Sequence, residues 1–197
     1  AIVAWGDNRS GGISADIYAQ RISAGGVVQW TANGVALCSA TGDQSYPTIV
    51  SDGADGAIIT WPDSRSGSPY PDIYAQRISA AGTVQWTANG VVLCVATGNQ
   101  QNPAMVSDGA SGAIITWGDA RSGNADIYAQ RVLANGTVDP AWPVDGRALC
   151  TATGDQQNPA IVADGAGGAI VAWQDSRNGS WDIYAQRQNA SGATQWT

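Results

Sequence analysis

The sequence predicts an all-β fold, a propeller-like array of four-stranded antiparallel blades. Three observations predict it. The chain repeats itself with a period near 56 residues. Each repeat is made of short β-branched runs closed by glycine turns. No segment of the chain has helical period.

The repeat is plainest at the tryptophans. Trp5, Trp61, Trp117 and Trp173 stand 56 residues apart. Each opens a W-x-D-x-R stretch: Trp5-Gly6-Asp7-Asn8-Arg9, Trp61-Pro62-Asp63-Ser64-Arg65, Trp117-Gly118-Asp119-Ala120-Arg121 and Trp173-Gln174-Asp175-Ser176-Arg177. An identical D-I-Y-A-Q-R follows at Asp16–Arg21, Asp72–Arg77, Asp126–Arg131 and Asp182–Arg187. The chain is one array, with repeats near 1–46, 47–102, 103–158 and 159–197.

The second repeat shows the elements in order. Pro47-Thr48-Ile49-Val50-Ser51 is a short β-branched strand, closed by the turn Asp52-Gly53-Ala54-Asp55-Gly56. Ala57-Ile58-Ile59-Thr60-Trp61 runs back as its hairpin partner. A polar loop from Pro62 to Pro71 leads to a third strand, Asp72 to Ser79. There Ile73, Ala75 and Arg77 alternate with Tyr74, Gln76 and Ile78. Ala80-Ala81-Gly82 turns the chain into a short Thr83–Trp86 segment, and Val91–Cys94 is the last strand. Four-stranded antiparallel units in succession are the pattern of propeller blades. A stacked β-solenoid is the alternative, though its repeats are shorter.

The stretch from Pro103 to Tyr128 reads P-x-x-V-S-D-G-x-x-G-A-I-I-T-W-x-D-x-R-S-G-x-x-D-I-Y. It resembles the TolB-type β-propeller repeat: a Pro-led strand, a D-G turn, an apolar strand, a D-R-x-G loop and a strand carrying I-Y. The resemblance covers about 30 of each 56 residues. It implies a propeller fold and leaves function open, because propellers host many activities. This chain departs from that pattern after I-Y, where Ala-Gln-Arg precedes a longer Q-W-T-A-N-G-V-x-L-C piece. The family also has six or more blades, against four copies here.

Ala1 aligns with Ala57, and Thr197 with Thr31 and Thr87. The first blade therefore lacks its Pro-led strand, and an unpaired strand edge is a template for pairing with another chain. Three outcomes stay open: a window on a longer array, a ring closed by self-association, or head-to-tail polymer.

The alphabet is narrow. There is no His, Phe, Lys or Glu; the nine cationic side chains are all Arg and the sixteen acidic ones all Asp. A net charge of −7 argues against a nucleic-acid partner, because phosphates would meet no basic patch. No run of residues is apolar enough to span a bilayer. The composition points to an extracellular or surface-exposed protein. Cys38, Cys94 and Cys150 are also 56 apart. Equivalent positions in successive repeats are too far apart for a disulfide, so the cysteines read as small buried hydrophobes.

Without His or Lys, the familiar Ser and Cys nucleophile systems are not available. Aspartates that recur in every blade are poor evidence for one catalytic centre, so the chain is read as non-enzymatic. The first functional reading is a structural or adhesive propeller that self-associates through strand edges. The second is a carbohydrate-binding propeller using the W-x-D-x-R loops: Trp5, Asp7, Arg9, Trp61, Asp63, Arg65, Trp117, Asp119, Arg121, Trp173, Asp175 and Arg177. There the indole would stack on a sugar while Asp and Arg bond its hydroxyls. The competing reading places Trp between blades and makes Asp–Arg a loop pin. A third is the accessory propeller of a larger enzyme. No cofactor is required; the D-G-x-x-G turns at Asp52, Asp108 and Asp164 are weak Ca2+ candidates beside their role as turns. Tyr46, Tyr70 and Trp181 break the repeat, each aromatic where sister copies are small or polar. They are the candidates for a private contact, with glycan as the possible partner.

Overall fold

The computed structural model describes residues 1–9, 11 and 14–196. Among the described residues, fourteen strands form four antiparallel sheets, and each sheet is one blade. The first blade holds β1 (Ile2–Asp7), β2 (Asp16–Arg21) and β3 (Val35–Cys38). The second holds β4 (Thr48–Ser51), β5 (Ala57–Asp63), β6 (Asp72–Ile78) and β7 (Val91–Cys94). The third holds β8 (Gln100–Ser107), β9 (Ala113–Asp119), β10 (Asp126–Val132) and β11 (Arg147–Cys150). The fourth holds β12 (Gln156–Ala163), β13 (Ala169–Asp175) and β14 (Asp182–Gln188). In the two full blades strand order follows chain order, so every connection is a hairpin or short loop. This is the expected propeller-like array. The short segment expected at Thr83–Trp86 is not a strand: only Val84 bridges, to Ile78.

The Pro-led strands lie at the centre, with β12 beside β8 and β8 beside β4. The first blade lacks that inner strand, as expected. The fourth blade lacks the outer one, so β14 has one open edge as β1 does.

Alternation along β6 builds two cores at once. Ile73 and Ala75 pack toward the third blade with Ile115 and Trp117. Ile78 packs toward the first with Ile17, Leu37 and Ile59. A third cluster joins Ile127 and Leu149 to Val171 and Trp173. Blade faces are therefore buried on both sides in the middle of the array, and the strands there read as nearly continuous apolar runs.

Candidate functional site

The W-x-D-x-R stretch sits where β5, β9 and β13 end and their loops begin. In the second blade, Trp61 and Asp63 are both fully buried. The indole Nε1 donates to Asp63 Oδ2 at 2.8 Å. Arg65 returns over the same carboxylate, with Nε on Oδ1 at 2.9 Å and Nη2 on Oδ2 at 2.6 Å. Its Nη2 also donates to Asn89 O at 2.7 Å and lies 3.2 Å from Cys38 Sγ of the preceding blade. The guanidinium stacks 3.8 Å above the Tyr74 ring, and Tyr74 pairs directly with Trp61 across the sheet. Trp117, Asp119 and Arg121 repeat this with Cys94, Asp145 and Tyr128. Trp173, Asp175 and Arg177 repeat it with Cys150 and Tyr184. Trp5, Asp7 and Arg9 form the same unit with Tyr18, but at a face with no blade before it.

The buried indoles of Trp61, Trp117 and Trp173 have no free face for a sugar, and a carboxylate carrying a bidentate guanidinium has no free oxygen for its hydroxyls. Of the two readings of these loops, the loop pin between blades is the one this geometry fits in the second, third and fourth blades, while Trp5 is only half-buried. Bonding by Arg9 lowers the Asp7 carboxyl well below the usual range. For Asp175, burial pushes upward, but the bonds from Arg177 and Trp173 outweigh it and the carboxyl stays low. Burial pushes the Cys38 thiol up to about 11 and that of Cys94 up to about 12. Two partnerships escaped the sequence reading: cysteine on the next blade's ion pair, and arginine over tyrosine. The shared spacing of the Trp and Cys residues was the available signal for the first.

Opposite each pinned aspartate stands a second one: Asp63 faces Asp72, and Asp119 faces Asp126. Burial raises Asp72 and Asp126 above the ordinary carboxylate value. Asp126 is held by Ser122 Oγ at 2.6 Å and Asn124 Nδ2 at 3.2 Å.

The D-G-x-x-G turns are closed by their own aspartates. Asp52 Oδ1 accepts the N–H groups of Ala54 and Gly56, and Oδ2 takes Arg77 Nη2 at 2.8 Å. Asp108 with Arg131 and Asp164 with Arg187 do the same. Both oxygens are engaged, which leaves the Ca2+ reading no open ligand at these carboxylates. Among the described residues no group of three or more Cys or Asp side chains is placed to hold a metal ion.

Tyr46, Tyr70 and Trp181 behave differently. They are 85%, 51% and 53% exposed. All three lie at one end of the array, where the inner strands begin and the β5–β6 and β13–β14 loops emerge. Tyr46 precedes Pro47 at the entry to β4, with φ of 49°. Asn102 and Asn158 occupy the matching positions before Pro103 and Pro159, each with φ of 53°. Asparagine tolerates this left-handed backbone; a bulky tyrosine is an outlier there. Asn102 Nδ2 donates to Asn158 Oδ1 at 3.3 Å, joining the third and fourth blades at the mouth of the axis. Tyr46 stands between two grooves of about 450 and 210 Å³. Asp43 and Ser45 line both; Asn8 borders the first, and Asn99, Gln101 and Asn102 the second. Tyr70 borders a further groove of about 310 Å³ with Ser66, Ser68 and Asp72. Amides, hydroxyls and exposed rings line this face together with the charged Asp43, Arg65 and Asp72, a set suited to hydrogen-bonding ligands.

No protein-family model matches the sequence, and no curated protein does. Solved structures match in fold. An endo-arabinase from Bacteroides thetaiotaomicron VPI-5482 is similar over 93% of this chain and 69% of its own, with a TM-score of 0.52 and 13% identity. A beta-fructofuranosidase from Bombyx mori, solved in complex with sucrose, is similar over 95% of this chain and 45% of its own, with a TM-score of 0.50 and 12% identity. This chain thus spans about two thirds of one and under half of the other. At such identity the likeness is one of fold alone, and it agrees with the propeller-like array of blades.

Proposed function

We propose that this chain is a non-catalytic, extracellular binding propeller, an adhesive module whose loop face takes neutral carbohydrate. The observation that carries the reading is Tyr46. It is held in a strained backbone conformation, almost wholly exposed, where both sister repeats place asparagine. Strain that folding does not require is characteristic of functional positions. An exposed ring between grooves lined by amides, hydroxyls and the Asp43 carboxylate fits a sugar, which offers one apolar face and a rim of hydroxyls. The net charge of −7 disfavours anionic ligands and leaves neutral glycans the better match. The sugar-directed names of the two solved propellers support the same ligand class. The lack of His and Lys, with each W-x-D-x-R aspartate tied to its arginine, supports binding without catalysis. We read the repeat itself as a variant of the TolB type.

A glycan array that includes arabinans and fructans, probed with the chain and with Tyr46→Ala, tests the proposal. Selective binding to neutral glycans, lost in the variant while its melting curve is unchanged, is the expected result. Silence of the wild-type chain across the array overturns it.

A further inference from the structure

Each blade hands the next the same set of contacts. A tryptophan on the connection after the third strand docks on the turn glycine of the following blade. Cβ positions built on Gly82, Gly136 and Gly192 fall 2.8, 2.6 and 2.8 Å from the indoles of Trp30, Trp86 and Trp142. One carbonyl in the same turn accepts two donors from the blade before. Ala80 O takes Arg21 Nη1 at 2.9 Å and Trp30 Nε1 at 3.1 Å. Ala134 O takes Arg77 and Trp86, and Ala190 O takes Arg131 and Trp142. Beneath them, Ile17 meets Ile59, Ile73 meets Ile115, and Ile127 meets Val171.

The chain carries both halves of this interface a fourth time, unmated. On the fourth blade, Trp196 is 46% exposed and Ile183, whose sisters are fully buried, is 73% exposed. Trp196 is already positioned: its N–H donates to Gln186 Oε1 at 2.8 Å, as Trp86 does to Gln76. Arg187 is held by Asp164 through Nε and Nη2. On the first blade, Gly26 has open space where its sisters meet an indole. None of the described residues donates to Ala24 O, the counterpart of Ala80 O. Val3, the counterpart of Ile59, is 41% exposed.

We infer that these two faces take each other, so that the fourth blade of one copy docks on the first blade of a second copy. Trp196 would cover Gly26, Arg187 Nη1 and Trp196 Nε1 would share Ala24 O, and Ile183 would bury against Val3. Three internal copies of the interface define the fit. The same bonds would form with any further blade of this repeat placed against either face. The contact is heterologous, so copies add head to tail. It lacks two strands of the internal interfaces, the outer one of the fourth blade that would bring a cysteine to the next ion pair and the inner one of the first blade that would pack on the blade before, and is smaller by that much.

Light scattering and sedimentation of the 197-residue chain over a range of concentrations give the test. Mass should grow with concentration, and Trp196→Ala should weaken association at least about tenfold. Ile183→Asp and Val3→Asp each spoil one exposed face and leave the internal cores untouched. Each variant alone should stay monomeric. Mixed, they should form a 1:1 dimer that grows no further, because each supplies the face the other lacks. A wild-type mass fixed at the monomer overturns the inference. So does association that survives in both variants, or a mixture that stays monomeric.

Discussion

The same five-residue pattern is found in two settings. In the second and third blades, Asp63 and Asp119 are wholly buried and their arginines cap a cysteine of the blade before. In the first blade, the Asp7 side chain is 19% exposed and Arg9 34%, and no cysteine lies behind them. Sequence and local geometry match; the neighbour differs. The comparison teaches that the motif's worth is set by what closes over it. A charge pair in water contributes little, whereas one partner of a buried pair cannot be removed without stranding the other.

Removing a carboxylate sharpens this contrast most. Asp119→Ala should cost about 3–5 kcal/mol in urea melts, because the buried Trp117 Nε1 and the largely covered Arg121 both lose their carboxylate. Asp7→Ala should barely move the midpoint. Equal losses would mean that the motif acts within its own loop and not between blades.

The turn glycines extend the comparison to the other side of each blade. Gly82→Ala meets both a φ of 81° and the Trp30 indole, while Gly26→Ala meets a φ of 79° and open space. The second substitution should cost about 1 kcal/mol, the penalty of left-handed backbone alone. The first should cost clearly more. Matching values would show that the indole yields to the added methyl.

Much of this was legible from the sequence. The period of 56 marked the blades, and alternation along D-I-Y-A-Q-R marked a strand with two buried faces. Arg77, Arg131 and Arg187 pair with the turn aspartates of their own blades, whereas Arg21, the fourth copy, has no aspartate partner among the described residues and donates to Ala80 O. The partner across a blade boundary was not legible. Nothing in Cys38 says that it meets Arg65, because that contact depends on how one sheet stacks on the next. The strain at Tyr46 was hidden for a similar reason: sequence shows an aromatic beside Pro47, whereas φ belongs to the bulge at the start of each inner strand.

Acid should separate the aspartates by environment. Burial pushes Asp52 upward, but the N–H groups of Ala54 and Gly56 together with Arg77 outweigh it, and its folded value lies below 3.8. Asp164 is likewise lowered, first by the Ala166 N–H. Such groups stabilise the fold above their unfolded value, and that stability is lost as pH falls through the folded one. Asp72 and Asp126 are raised, so their contribution has the opposite sign: it is present in acid and lost as pH rises through their folded values. With no His, Lys or Glu, stability should fall below about pH 4, be flat around neutrality, and fall again above about pH 8, where thiols of the unfolded chain ionise and the buried ones do not. A transition near pH 6 to 7 would contradict this.

The smallest expected effect is of the opposite sign. Tyr46→Asn should raise stability by about 1 kcal/mol or less, since asparagine accepts the left-handed backbone of its sisters. The same change should weaken glycan binding. A destabilised variant would show that the ring supports the fold.

The buried cysteines have a practical consequence. Each thiol sits on a different blade boundary: Cys38 between the first and second blades, Cys94 between the second and third, Cys150 between the third and fourth. Burial keeps all three protonated at neutral pH and so unreactive. An alkylating reagent will reach the buried Cys38 and Cys94 only when their boundaries open, whereas Cys150 is half-buried. The rates at which Cys38 and Cys94 are labelled would therefore rank those two seams of the array by how often each parts, in a molecule that needs no added probe.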